Sequence, residues 1–453
     1  MWISWMIAAA LAVPPVEPPP TETSASWLLG STLSSSHGYD TLRTLCDDFG
    51  ARLSGSQILE QAIDWSAEEL KSYGLDVRLE EVLVPAWSRG KESATLLAPQ
   101  RRDMTILGLG NTVGTPKKGI RGEVLVMNNF AQLDALSTED VAGKIVLWNV
   151  PFTNYGETVA YRTKGASAAA RKGAIASLVR SVTPESLSTP HTGVQRYAED
   201  VTPIPAMAIT LEDAETMQRW TDAGKRIELA LTMGARQGRD QLSANVIAEL
   251  KGREKPEEIV LMGCHIDSWD VGQGAQDDGA GCIMVMEAAR QMAMLPVRPR
   301  RTVRVVLFTN EENGLAGGKH YAKHHADEKH VMVLEADSGS GAPLGFRVDV
   351  RRGQGEPVIE ALKPFTSILA PLSAQRLELR GSGADIGPLI DATGVLGLGL
   401  MNDLTDYWPI HHTDADTFDK VDPKLLAENT ATVAVMAWQF ADAEVIPATD
   451  TGS

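Results

Sequence analysis

Ile259-Val-Leu-Met-Gly-Cys-His265-Ile-Asp267-Ser-Trp-Asp-Val-Gly-Gln-Gly-Ala-Gln-Asp277-Asp278-Gly-Ala-Gly281 is the stretch on which the fold turns. Its opening run, Ile259–Gly263, is short and continuously apolar, the mark of a strand buried on both faces. Polar residues follow at once, and a helical pattern runs from Gly279 to Leu295. The same figure recurs downstream. Val303–Thr309, Val331–Leu334 and Val395–Met401 each read as a buried strand ending abruptly in polar residues, and a helical pattern covers Leu315–Lys323. Strands alternating with helices predict an α/β fold with a mostly parallel central sheet and helices on both faces.

Upstream the rhythm changes. Between about 115 and 236, short strands are predicted at 122–127, 143–148, 174–179, 203–209 and 227–233, with a small-residue helix at 164–172. That stretch reads as a compact β-rich module inserted into the main domain. Before it come helical patterns at 38–48 and 57–73, a polar turn at 51–56, and strands at 76–84 and 93–98. Residues 14–36, rich in Pro, Ser and Thr, read as a linker. The expected division is 1–36 leader and linker, 37–114 first part of the main domain, 115–236 insert, 237–445 second part, and 446–453 tail.

Composition narrows the function. Lys plus Arg total 42 against 59 Asp plus Glu in 453 residues, a net charge of −17. Such a chain repels phosphate backbones and anionic lipid heads, so neither nucleic acid nor a membrane surface is an expected partner. The apolar run Met1–Ala12, ending Ala10-Leu11-Ala12, resembles a signal peptide although no Lys or Arg precedes Arg43. It is too short to span a bilayer, and the expectation is a secreted or periplasmic protein. Cys46, Cys264 and Cys282 match no Cys/His metal spacing and are expected to be small buried apolar residues.

The chemistry gathers where the strands end. His265 and Asp267 close the first strand, and Gln276-Asp277-Asp278 opens the next helix. Asn310-Glu311-Glu312-Asn313 closes the second strand and Glu335-Ala336-Asp337 the third, while His411-His412-Thr413-Asp414-Ala415-Asp416-Thr417 lies near the C-terminus. In an open α/β sheet the carboxyl ends of the strands meet along one edge, so two imidazoles and several carboxylates arrive together. Carboxylates that close repel one another unless cations separate them. Two divalent metals bridged by a carboxylate meet that need, and mixed nitrogen and oxygen donors suit zinc.

These motifs resemble the M28 family of co-catalytic zinc peptidases, and within it the carboxypeptidase Q-like branch. The phrases are His265–Asp278, Glu311-Glu312 and His412-Thr-Asp-Ala-Asp-Thr417; Val141–Val146 is similar to part of a protease-associated domain. The resemblance implies the zinc exopeptidase fold and two zinc ions per chain. It assigns His265 and Asp337 to one ion and Glu312 and His412 to the other, with Asp277 bridging and the Asp277–Asp278 peptide cis. Glu311 would be the general base that activates the bridging water, and Asp267 would orient the His265 imidazole. His412 is preferred to His411 because it fits the family phrase; Asp278 and Asp416 read as structural groups.

Other candidates carry less. Asp385, in Gly381-Ser-Gly-Ala-Asp385, could meet a substrate amino group, or the loop could be only a turn. Tyr407 and Trp408 could line the pocket or pack the core. His320, His324 and His325 share a helical segment that reads better as a solvated face than as a second metal site. No Gly-x-Ser-x-Gly elbow, dinucleotide fingerprint or phosphate-binding loop occurs. The expected function is a metallo-exopeptidase acting on dipeptides or short peptides with free termini, a possible homodimer. The rivals are an aminopeptidase acting on longer peptides, a non-catalytic peptide-binding protein with a structural zinc, and a one-zinc cyclase of similar fold, disfavoured because all five ligand positions are filled.

Overall fold

Alternate residues of strand Arg301–Phe308 enter two different cores. Val303, Val305 and Leu307 pack to one side, Val306 and Phe308 to the other, and every position is buried. That is why the segment is apolar on both faces, broken only by Arg304 after Val303, and it fixes the strand inside a sheet covered on both faces. The computed structural model describes residues 20–447. Across the main sheet the strands run Asp76–Val84, Gln241–Leu250, Arg301–Phe308, Lys255–His265, Lys329–Glu335, Gly397–Asn402, Pro343–Asp349 and Arg376–Leu379.

The four middle strands, from Arg301–Phe308 to Gly397–Asn402, are mutually parallel. The flanks are mixed: Gln241–Leu250 runs antiparallel to both its neighbours, as Pro343–Asp349 does to Gly397–Asn402. Sequence periodicity does not show Gln241–Leu250 because polar residues sit inside it. Asn245 is fully buried there, its amide oxygen accepting from the Thr309 N–H at 3.1 Å and its amide nitrogen donating to the Gly317 carbonyl at 3.2 Å.

Helices Gln57–Ser72, Ala280–Ala293 and Pro423–Asp442 cover one face, and Ala316–His325 with Gly387–Thr393 the other. Helix Pro423–Asp442 starts cleanly: Pro423 fills its first turn and the Asp422 carboxylate accepts from the Lys424 and Leu425 amides.

Two expectations are corrected here. Residues 21–33, expected as linker, form helix Thr21–Leu33, which buries Ala25 and Leu28 in the main core. Apolar burial overrides a Ser- and Thr-rich composition there, and the Thr21 hydroxyl donates to the Asp442 carboxylate at 3.0 Å, beside the last helix. The insert also starts earlier than 115. Strands Glu92–Ala98, Arg102–Met104 and Ile106–Gly108 join Ile120–Met127, Ile145–Trp148, Ala176–Arg180, Ala206–Ile209 and Glu228–Met233 in a second eight-stranded sheet. The chain crosses between the two bodies through a small ribbon, Trp87–Ser88 paired with Arg236–Gln237. The insert is not purely β-rich, since helices Tyr155–Arg171 and Leu211–Asp222 pack on its sheet.

No helix among the described residues is long and apolar enough to cross a membrane. The signal-like run Met1–Ala12 lies outside the described residues. All three cysteines are free and buried.

Arg52, in the segment read as a polar turn, ties the loop between His265 and Asp277 to the body of the protein. It is fully buried and donates to the carbonyls of Ile266 at 3.0 Å, Gly50 at 2.6 Å, Gln273 at 2.7 Å and Gly274 at 3.1 Å. Arg52→Met takes the donor from the Ile266, Gly50 and Gln273 carbonyls, at about 1–3 kcal/mol for each one stranded, while Gly274 keeps the Gly279 N–H. Chemical denaturation is expected to show a loss of at least about 3 kcal/mol; a loss below about 1 kcal/mol would mean that water replaces the guanidinium.

Candidate metal centre

Strands Lys255–His265, Arg301–Phe308, Lys329–Glu335 and Gly397–Asn402 all point their carboxyl ends at one edge of the sheet. His265 is the last residue of the first. Glu311 and Glu312 follow the second, Asp337 the third, and His412 sits in the loop after the fourth with φ +62°. Asp277 enters from the turn before helix Ala280–Ala293.

The five expected ligands meet around Asp277. Its Oδ1 lies 3.3 Å from His265 Nε2 and its Oδ2 3.1 Å from His412 Nε2. Asp337 Oδ1 is 3.6 Å from His265 Nε2, and Glu312 Oε2 is 3.2 Å from His412 Nε2. One carboxylate therefore stands between two His–carboxylate pairs. The Asp277–Asp278 peptide is cis. His411 also reaches Asp277 Oδ2, at 3.4 Å, but has no contact to Glu312.

Main-chain acceptors fix both imidazoles. His265 Nδ1 lies 3.0 Å from the Asp267 carbonyl oxygen, and His412 Nδ1 lies 3.2 Å from that of Thr192. A carbonyl can only accept, so each Nδ1 carries a proton and Nε2 is the atom each ring offers to the centre. Thr192 belongs to the insert, and its N–H also donates to the His412 carbonyl at 3.0 Å. Nothing in the sequence marks Thr192, because its contribution is main-chain and comes from 220 residues away.

The carboxylate of Asp267 does something other than expected. It accepts from the Glu311 N–H at 3.0 Å, the Glu312 N–H at 3.3 Å and the Ser54 hydroxyl at 3.1 Å. Asp267 thus orients His265 through its main-chain oxygen and the Glu311-Glu312 pair through its side chain. Asp278 accepts from the His265 and Gly281 amides, and Asp416 from those of Gln276 and Asp277. Both are props under the turn that presents Asp277.

The electrostatics favour bound cations. Burial pushes the Glu311 carboxyl well above the usual range, and the charges of Asp337 and Glu312 push the same way. Burial and the Asp277 charge push Glu312 up to about 7. Asp277 Oδ2 and Glu312 Oε1 are buried without a hydrogen-bond partner. Acids gathered this tightly hold protons unless positive charge replaces them. Two neutral imidazole nitrogens and three carboxylates, two with orphaned oxygens, fit divalent zinc as a donor set.

A cavity of about 800 Å³ opens over the centre. Tyr155, Arg162 and Arg196 reach it from the insert, and Arg347, Arg380 and Tyr407 from the main domain. Tyr407 lines it, its ring centroid 5.0 Å from that of His411, and Trp408 lines it too. Asp385 does not. It is 1% exposed, and Ala384 rather than Asp385 faces the cavity. The reason is Glu335, whose carboxylate accepts from the Ala384 and Ile386 amides at 2.8 Å each and wraps the loop around itself. A Cβ at Gly383 would lie 2.2 Å from the Glu335 carboxyl carbon, so the glycine is needed for that approach. Burial and the Glu335 charge push Asp385 well above the usual carboxylate range, unlike a group waiting for an ammonium. The arginines escaped the sequence reading because isolated cations in an ordinary composition carry no spacing signal.

Fold and centre together define a metallo-exopeptidase. The model for peptidase family M28 matches residues 245–437 and that for the PA domain matches 116–217. Carboxypeptidase Q of Mus musculus is 43% identical over 413 residues, 90% of this chain and 87% of its own, and that of Homo sapiens is 42% identical over 91% and 86%. A peptidase M28 precursor from Shewanella amazonensis SB2B has a TM-score of 0.89 at 38% identity, covering 94% of this chain and 98% of that one. The fold is shared more distantly with a zinc aminopeptidase from Bacillus subtilis, at TM-score 0.67 and 22% identity over 90% and 95%. The chain belongs to peptidase family M28.

Proposed function

We propose that the protein is a two-zinc exopeptidase that hydrolyses dipeptides or short peptides with free termini, with Glu311 as its general base. The supporting observation is the Asp277 carboxylate, one oxygen 3.3 Å from His265 and the other 3.1 Å from His412. His265 and Asp337 would hold one ion, Glu312 and His412 the other, and Asp277 both. When bound, the cations supply Lewis acidity and make water a better nucleophile near neutral pH.

The protein's own groups handle the proton. Glu311 lines the cavity and belongs to none of the tight His–carboxylate contacts. A carboxyl whose burial raises its proton affinity takes a proton from the attacking water and passes it to the departing nitrogen. The Asp267 carboxylate, bonded to the amides of Glu311 and Glu312, holds the turn that carries both side chains. The roof formed by the insert limits water around the scissile bond. The run Met1–Ala12 supports export to the periplasm or the medium.

Metal analysis paired with a dipeptide-library assay tests the proposal. About two zinc ions per chain are expected, with hydrolysis lost on chelation and restored by zinc. Hydrolysis indifferent to chelator overturns it, and stoichiometric zinc without hydrolysis points to a binding protein instead.

A further inference from the structure

The candidate ligands are not supported alike. His265 is held from within the main domain, by the Asp267 carbonyl at its Nδ1 and the Asp278 carboxylate at its N–H. Among the described residues no hydrogen bond joins the insert to His265 or Asp337. Glu312 and His412 differ, for the insert reaches both. Asn111 Nδ2 donates to the carbonyl of Asn313, next to Glu312, at 3.1 Å. Thr192 brackets His412, its N–H on the His412 carbonyl at 3.0 Å and its own carbonyl 3.2 Å from Nδ1.

The two contacts come from one patch. The Gly110 N–H donates to the Gly193 carbonyl at 3.0 Å and the Gln195 N–H to the Gly110 carbonyl at 3.1 Å, which ties residues 110–111 to 192–195. The patch rests on Trp269 of the main domain, whose ring centroid lies 5.7 Å from that of His412. A Cβ at Gly110 would run into the Trp269 ring, so glycine alone permits that approach. Arg89, just past the ribbon, pins the same patch: its Nε donates to the Asp270 carboxylate at 2.9 Å and its Nη2 to the Thr192 hydroxyl at 3.4 Å.

Building on the two-zinc reading, we propose that the insert is a positioning element for one cation only. Its seating on the main domain is linked to occupation of the Glu312–His412 subsite, and the His265–Asp337 subsite is independent of it. Asn111 and Thr192 align the turn carrying Glu312 and the loop carrying His412, so the seated insert presents these two ligands ready to bind. Such coupling is reciprocal: a cation between Glu312 and His412 tightens the insert by the factor with which the seated insert tightens the cation. A contact that only stabilised the fold would favour neither ion.

The test withdraws zinc from the zinc-loaded full-length protein with a competing chelator and follows hydrogen exchange in the same samples. Wild type is expected to release its ions in turn, and exchange at 110–111 and 192–195 to quicken with the loss of one of them only. Asn111→Gly removes the amide group and suits the φ of +64° at that position. It should weaken one ion about 3- to 10-fold, the worth of a hydrogen bond, and leave the other unchanged. Arg89→Met should act on the same ion. Variants that lose melting temperature yet hold both ions as wild type does overturn the linkage, and so do two ions weakened together. Exchange indifferent to zinc in wild type overturns it as well, with no variant needed. A wild type that carries fewer than two ions overturns the two-zinc reading itself.

Discussion

Glu311→Ala is expected to reduce dipeptide hydrolysis about a thousandfold or more while zinc content stays at the wild-type value. Both halves come from the geometry. Glu311 lines the cavity, so its loss removes the proposed proton carrier. His265, His412, Asp277, Glu312 and Asp337 remain in mutual contact without it. The main-chain N–H of residue 311 still donates to Asp267, so the turn presenting Glu312 is preserved. Stopped assays over long times, with zinc measured by atomic absorption on the same sample, read out both quantities. Zinc lost in step with activity would show that Glu311 is a ligand and that the two neighbouring acids have exchanged roles.

Asp277→Asn is expected to do the opposite, costing zinc first and activity as a result. The amide keeps the shape of the carboxylate but halves its acceptor oxygens and removes its charge, on a group in contact with both His265 and His412. Metal content should fall below one ion per chain under mild dialysis. Hydrolysis should drop at least about a thousandfold, which at 1.36 kcal/mol per tenfold corresponds to about 4 kcal/mol of lost charge stabilisation. Retention of two ions with near-normal turnover would remove Asp277 from the centre altogether.

The positions of His265, Glu311, Glu312 and Asp337 could be read from the chain because each lies at or just beyond the end of an apolar strand. Strand Arg301–Phe308, with Val303, Val305, Val306 and Leu307, admits one reading, and the residues just beyond Phe308 must sit at the sheet edge. Contacts made by main-chain atoms could not be read. That Asp267 supports the Glu311-Glu312 turn, or that Thr192 holds His412, depends on hydrogen bonds to amides and carbonyls that every residue possesses. Strand Gln241–Leu250 escaped for a related reason: Asn245 looks like surface until its two partners are known. Helix Thr21–Leu33 escaped because its stability comes from packing on helix Pro423–Asp442, about four hundred residues along the chain. Asp385 misled in the opposite sense, since a glycine-rich loop near a pocket can serve a buried glutamate instead of a ligand.

The ribbon Trp87–Ser88/Arg236–Gln237 joins two bodies with unequal duties. The five candidate ligands lie on one side of it, while Tyr155, Arg162 and Arg196 lie on the other. Part of the pocket lining is thus encoded in a stretch of the chain separate from the candidate ligands. A relative could acquire new preferences by rewriting the module between those crossings, provided position 192 still offers its oxygen to the histidine beneath.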